Sequence, residues 1–335
     1  AEHHEIVSHT MTTLLSQPYD DDPSVCACVI YIVRVGCLAG ADEACLHGTL
    51  SAAMRALESA DVSRLLIALR TARDALDVIG SIDDDVWSLN VEILKQSLCH
   101  SNRHVQVEAA LALRALALAC PTKFLFQLQE AMKHLQKYIK AVQEHDSLVA
   151  AGTACHVSAL VSIGEEFTCG LPANVLQEAT TLGIACAMGP GSARVREGGW
   201  VVISACLAGS GADVASRMCG SAIKFAMSAT FDAVVEAGVE GEQGEIYAAA
   251  AVAEALSAWL IGKPDDASDL LSQLQSSVEA AERIFNTRLD ASVEEHSKSL
   301  FRYRVFELLN AIDETCFYEE LHGRIVALCQ RASSD

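Results

Sequence analysis

Helical stretches of this chain stop repeatedly at a glycine or a proline, and the stops are evenly spread. They fall at Gly40, Gly80, Cys120-Pro121, Gly164, Gly209, Gly262 and, without a glycine, Asp313. A glycine supplies the left-handed conformation that ends a helix, and proline cannot continue one. Between stops lie two helical patterns joined by a polar turn. One pair runs over 85–98 and 104–119 around Ser101-Asn102-Arg103; another runs over 172–188 and 192–207 around Gly189-Pro190-Gly191.

Two helices in roughly 40–47 residues is the period of HEAT and armadillo arrays. A unit this small cannot bury its own apolar face, so neighbours must stack into a continuous core. The spacing predicts an all-α fold over 1–335: a single right-handed α-solenoid of about seven helix pairs with a lone helix at 314–331. Composition agrees, because 51% of residues are hydrophobic but only 5% aromatic. Small side chains suit helices packed closely on helices. The acidic, glycine-rich run 233–245 and the run 286–294 read as loops inserted between paired helices, where lengthening costs little.

The formal charge of −20 repels phosphates, which argues against nucleic acid or an anionic membrane surface as partner. Thirteen scattered cysteines contain no C-x-x-C, so they read as free thiols in a reducing, cytosolic compartment. No signal peptide is visible, and the longest apolar run, 148–164 with His156 inside it, reads as a buried helix too short to span a bilayer. Because the chain begins at Ala1 and not at Met, it is expected to be part of something larger.

Catalytic motifs are few. Asp265, Asp266 and Asp269 match the D-D-x-x-D that gathers magnesium around a diphosphate in helical prenyl-type synthases. That chemistry needs a second acidic motif, and neither Asp83-Asp84-Asp85 nor Asp20-Asp21-Asp22 has the right sequel. Following Pro264, the three aspartates read as residues favoured at a helix N-terminus. His4 and His9 are five apart, so they diverge around a helix instead of sharing a metal. His100 and His104 have the right separation, with Cys99 nearby, but a turn intervenes. No P-loop or dinucleotide fingerprint is present. The chain is therefore expected to be non-enzymatic, with no cofactor and no metal.

The remaining chemical signal is basic. Arg64, Arg70 and Arg73 lie on one second helix, Arg103 and Arg114 on the next, and Arg194 and Arg196 on a later one. On the concave side of a solenoid they could form a ridge for an acidic partner. The competing reading is that they pair with neighbouring aspartates or cap helix ends. Gly198 and Gly199 stand mid-helix, where each costs about 1 kcal/mol against alanine. The sequence places Gly199 at a helix crossing, with Trp200 beside it, and expects Gly198 to accept alanine if that position faces outward.

Several segments, in order, resemble the large HEAT repeat-containing protein 5 family and its fungal counterpart, an accessory protein of a clathrin adaptor. They are 29–40 (VIYIVRVGCLAG), 67–80 (IALRTARDALDVIG), 98–121 with Ala109-Ala110 and its terminal L-A-L-A-C-P, 193–207 with Gly199-Trp200, and 302–309 (RYRVFELL). Gln106 departs from the arginine usual at its position, and the runs at Ala233 and Asn286 differ. The resemblance implies a non-enzymatic scaffold on the cytosolic face of endosomal or trans-Golgi membranes that supports adaptor recruitment and endosome-to-Golgi traffic. It implies protein partners, including clathrin adaptors, and no membrane insertion. An α-solenoid subunit of another large complex, such as a transport receptor or regulatory subunit, is the alternative.

Overall fold

A computed structural model describes residues 23–59, 61–166, 170–209, 243–261 and 295–311, with a few isolated positions elsewhere. Every regular element among them is a helix. In chain order they are α1 (Pro23–Ile32, continued as π-helix over Val33–Leu38), α2 (Glu43–Ala56), α3 (Val62–Ile79), α4 (Asp84–Ser97) and α5 (Arg103–Ala119). Then follow α6 (Phe124–Lys137), α7 (Glu144–Val161), α8 (Ala173–Ala187), α9 (Ala193–Ala208), α10 (Gln243–Ile261) and α11 (Glu295–Asn310).

Local chemistry sets these boundaries. Asp42, Asp61 and Asp83 each accept a hydrogen bond from the backbone N–H three residues on, at Cys45, Arg64 and Val86. Asn102 accepts from both His104 and Val105, and Ser192 from Val195. Such caps satisfy N–H groups that have no partner inside the helix and contribute about 1 kcal/mol each. Two of the expected glycine stops behave as the sequence implies: Gly40 and Gly80 have φ of +74° and +72°.

Two stops differ. Gly164 lies inside a 3-10 turn (Ser162–Glu165), and the left-handed residue there is Gly170, at φ +63°. Gly209 is extended, at φ −83° and ψ 175°. A 3-10 turn or an extended residue ends a helix as well as a left-handed one, so the punctuation survives while its mechanism changes.

The chain divides into two compact units, residues 1–134 with 155–163, and residues 135–154 with 164–335. In the first, α2 packs on α3 and α4 on α5, and α3 also packs on α1 and α5. The core there is small and branched: Ile67, Leu69, Ala72, Leu76, Leu94, Val105, Ala109, Ala112, Leu113 and Leu116 are all buried. The N–H of Ile82, just before α4, donates to Ala119 O at the end of α5, at 2.9 Å, so the two ends of one pair are tied together. In the second unit α8 packs on α9, α9 on α10, and α10 on α11.

Helix pairing matches the sequence reading closely. The pairs 85–98 with 104–119 and 172–188 with 192–207 are α4 with α5 and α8 with α9, each boundary within two residues. The run 233–245 overshoots: α10 already begins at Gln243, where Gly244 lies against the Ala193 methyl. Glycine costs little in a first turn, whose N–H groups have no intrahelical partner in any case. Residues 233–242, 286–294 and the helix expected at 314–331, isolated positions apart, lie outside the described residues.

The apolar run at 148–164 also reads longer in the structure. Its helix reaches back to Glu144, so Glu144–Gly164 is 21 residues, long and apolar enough to cross a membrane by length and composition. Sequence alone undercounted it because the polar residues 144–147 are helical as well. Of its most apolar 18-residue stretch, 78% is buried inside the protein.

Candidate interaction surface

The arginines singled out in the sequence sit on second helices, and several converge. On α3, Arg70 and Arg73 are one turn apart, so both face the same neighbour. That neighbour is Glu108 on α5. Arg70 Nε donates to Glu108 Oε1 at 2.7 Å, and Arg73 Nη1 donates to Oε2 at 3.2 Å. Glu108 is buried in the apolar stretch Val105–Ala112, and two guanidinium groups compensate its charge.

One residue beyond Arg73, Asp74 is also buried and takes a bidentate contact from Arg34 on the π-helical turn. Nε and Nη2 donate at 3.0 and 2.9 Å. Arg73 Nε lies 3.7 Å from the same carboxylate. Asp77, a turn further along, has its carboxyl pushed above the usual range by desolvation, with repulsion from Asp74 adding to it; Arg73, Arg114 and Arg34 pull the other way. Arg114 Nε donates to Ser162 Oγ at 3.2 Å, and that hydroxyl donates on to Ala159 O. A charged ladder thus joins Arg34, Asp74, Arg73, Glu108 and Arg70, linking α1, α3 and α5.

The other candidates stay apart from this ladder. Arg64 and Arg103 are half-buried and engaged in interactions of their own. Arg194 and Arg196 belong to the second unit, at the start of α9, where Arg196 Nη1 donates to Gly191 O at 2.8 Å. The reading in which arginines pair within the fold therefore describes Arg70 and Arg73, and Arg196 binds a backbone carbonyl. Sequence reasoning did not pick out Arg34, Asp74 or Glu108. The available signal was Glu108 itself, an acid inside a run of apolar helix positions.

Glycine places two further contacts. A Cβ on Gly199 would lie 2.3 Å from Ala187 N and 2.7 Å from Gly183 O, so α9 crosses α8 backbone to backbone at this point. Trp200 beside it is buried. Gly198 does not meet the condition for accepting alanine, because it does not face outward. Its Cβ would meet the Ala154 methyl of α7 at 2.6 Å. Adjacent positions on a helix point about 100° apart, so the two glycines open α9 toward two different neighbours.

The motifs weighed for chemistry have structural uses where they are described. Asp83 caps α4, and Asp84 Oδ2 pairs with Lys123 Nζ at 2.6 Å. That contact, through a hydrogen bond first, holds the Asp84 carboxyl below its usual range. His100 Nδ1 accepts from Asn102 N at 3.0 Å, within the turn that caps α5. Cys99 is an exposed thiol raised by desolvation. Among the described residues no group of three His, Cys, Asp or Glu side chains is placed to hold a metal ion. All nine described cysteines are free thiols. Asp265, Asp266, Asp269 and His4 lie outside the described residues.

One buried polar pair stands out in the first unit. His156 of α7 is wholly enclosed, and its Nε2 lies 2.9 Å from Gln127 Nε2 of α6, which also reaches Leu113 O at 3.4 Å. Desolvation foremost, then the Lys95 and His134 charges, push the His156 pKa down to about 3. The ring is neutral at pH 7 and accepts from the Gln127 amide.

These features define an all-helical protein of packed helix pairs. No protein-family model matches the chain. It is 29% identical over 163 residues to Protein SWEETIE of Arabidopsis thaliana, a match covering 46% of this chain and 7% of that protein. The chain thus spans a small fraction of the length of that curated relative.

Proposed function

We propose that this chain is a non-enzymatic α-solenoid scaffold for protein partners. The observation that carries the reading is the repeated seating of one second helix on the next: α3 on α5 in one unit, and α9 on α10 on α11 in the other. Stacked helix pairs of this kind create extended surfaces, and binding by such surfaces needs no catalytic group. The charged ladder favours a structural use of Arg70 and Arg73, which hold adjacent pairs in register. A role for Arg64, Arg103, Arg114 or Arg194 in contacting an acidic partner stays part of this proposal, and Arg64, Arg103 and Arg114 already take part in interactions within the fold.

The step from scaffold to membrane traffic rests on the resemblance to the HEAT repeat-containing protein 5 family. On that reading the protein works in the cytosol, peripherally at endosomal or trans-Golgi membranes, and assists clathrin adaptor recruitment. Affinity purification of the full-length protein, followed by mass spectrometry, tests it. Enrichment of adaptor subunits over a helical control of similar size and charge is expected. Enrichment of a different large complex, with no adaptor, overturns the traffic reading and leaves the scaffold.

A further inference from the structure

The ladder that ties α1, α3 and α5 together has an inside and an outside. Its carboxylates lie beneath: the side chains of Asp74 and Glu108 are 9% and 10% exposed. Its guanidinium groups lie above them, with Arg34 56%, Arg70 39% and Arg73 24% exposed. An anion arriving from solvent therefore meets guanidinium first. The bonds to the buried acids use two N–H groups of Arg34 and one each of Arg70 and Arg73, out of five on every guanidinium. The buried acids hold the remaining edges in place, and a donor already oriented loses little side-chain entropy when a ligand binds.

Charge points the same way. Three arginines against Asp74 and Glu108 leave +1, and counting in Arg114 and the exposed Asp77 beside it leaves +1 again. The chain as a whole carries −20, so this strip differs in sign from the protein around it. At about 0.15 M salt, charges more than about 8 Å away are largely screened, and the local contact decides. Neighbouring packed helices lie about 8–10 Å apart, which separates Arg34 beyond α1 from Arg70 and Arg73 on α3. An extended chain, advancing about 3.3 Å per residue, crosses that gap in about three residues.

We propose that Arg34, Arg70 and Arg73 form a docking strip for an extended acidic peptide segment of a partner protein, whose glutamate or aspartate side chains accept from the outward guanidinium edges. The proposal deepens the scaffold reading and rests on it. Holding helices in register and receiving a ligand are one arrangement here, because the buried acids fix the arginines for both. A short peptide is favoured over nucleic acid or an anionic membrane. Those present a broad field of phosphates, which the −20 chain repels over far more than the strip.

The test follows fluorescence anisotropy of a fluorescein-labelled peptide of alternating glutamate and serine, titrated with the 335-residue chain at about 0.15 M salt. A peptide with glutamine for glutamate is the control. Expected is saturable binding of the glutamate peptide alone, weakened about fivefold or more by Arg34→Gln with Arg70→Gln. Lys95→Gln with Lys133→Gln removes the same charge from α4 and α6 and should leave binding unchanged. Arg34→Lys with Arg70→Lys keeps a cation over each buried acid but loses the planar fork. It should melt near wild type and still bind the peptide about threefold or more weaker, which separates docking from a folding defect. No binding of the glutamate peptide, undiminished binding in either arginine double variant, or equal weakening by the lysine double variant overturns the proposal. So does arginine-dependent binding of phosphatidylserine vesicles without binding of the peptide, which assigns the strip to lipid. The scaffold reading is judged separately by the affinity purification: adaptor enrichment without peptide binding overturns the strip alone.

Discussion

Placing a single methyl group at Gly199 tests the central packing claim. In the Gly199→Ala variant the new Cβ would sit 2.3 Å from Ala187 N, 2.7 Å from Gly183 O and 2.8 Å from Ala187 Cα. Ordinary contact begins near 3.4 Å, so α8 and α9 must part by about 1 Å at their crossing, because backbone on α8 has no rotamer to turn away. Overpacking of this kind costs about 1–3 kcal/mol, and a backbone obstruction puts the cost at the upper end. Alanine returns about 1 kcal/mol of helix propensity, which leaves a net loss of about 2 kcal/mol. For a unit of this size the expected fall in Tm is about 4–8 °C. Thermal melts followed by circular dichroism check it, with Gly36→Ala as control. Gly36 has open space for the same methyl, so that variant should melt with or slightly above wild type. A Gly199→Ala protein that melts as high as the Gly36→Ala control would refute the crossing.

Three further outcomes follow from the same geometry. Gly198→Ala should also destabilise, by about 1–2 kcal/mol, and adding Ala154→Gly should recover part of the loss by freeing the opposing methyl; denaturant melts of the cycle that show simple additivity would argue against the contact. Removing the shared acid with Glu108→Ala takes the carboxylate from Arg70 and leaves Arg73 with Asp74 alone, and should cost about 1–3 kcal/mol, whereas Lys95→Ala, with its exposed Glu92 pair, should cost under about 1 kcal/mol; chemical denaturation separates the two. His156 links stability to acid. Its folded pKa of about 3 lies below the ordinary 6.5, so between those values the unfolded chain binds one proton more. The stability it contributes is complete above pH 6.5 and falls by about 1.4 kcal/mol per unit as pH drops toward 3. Urea unfolding at pH 7 and pH 5 should show a smaller drop in His156→Leu than in wild type, and equal drops would refute the burial of a neutral ring.

The sequence by itself determined the elements and their pairing. Capping residues at Asp42, Asp61, Asp83, Asn102 and Ser192, and stops at Gly40 and Gly80, act within a few residues of where they stand, so helix ends are local chemistry and are legible in order along the chain. Gly199 was legible too, because a glycine that costs helix propensity between buried residues implies a neighbour close by. What the neighbours are is another matter. Arg34 meets Asp74 across 40 residues, and Arg70 meets Glu108 across 38, and no local pattern says which acid a long flexible arginine will reach. Gly198 turned inward for the same reason: its partner, Ala154, lies on a helix that ends more than thirty residues before α9 begins. A helix presents every direction around its axis, and only the tertiary arrangement decides which of those directions another helix occupies.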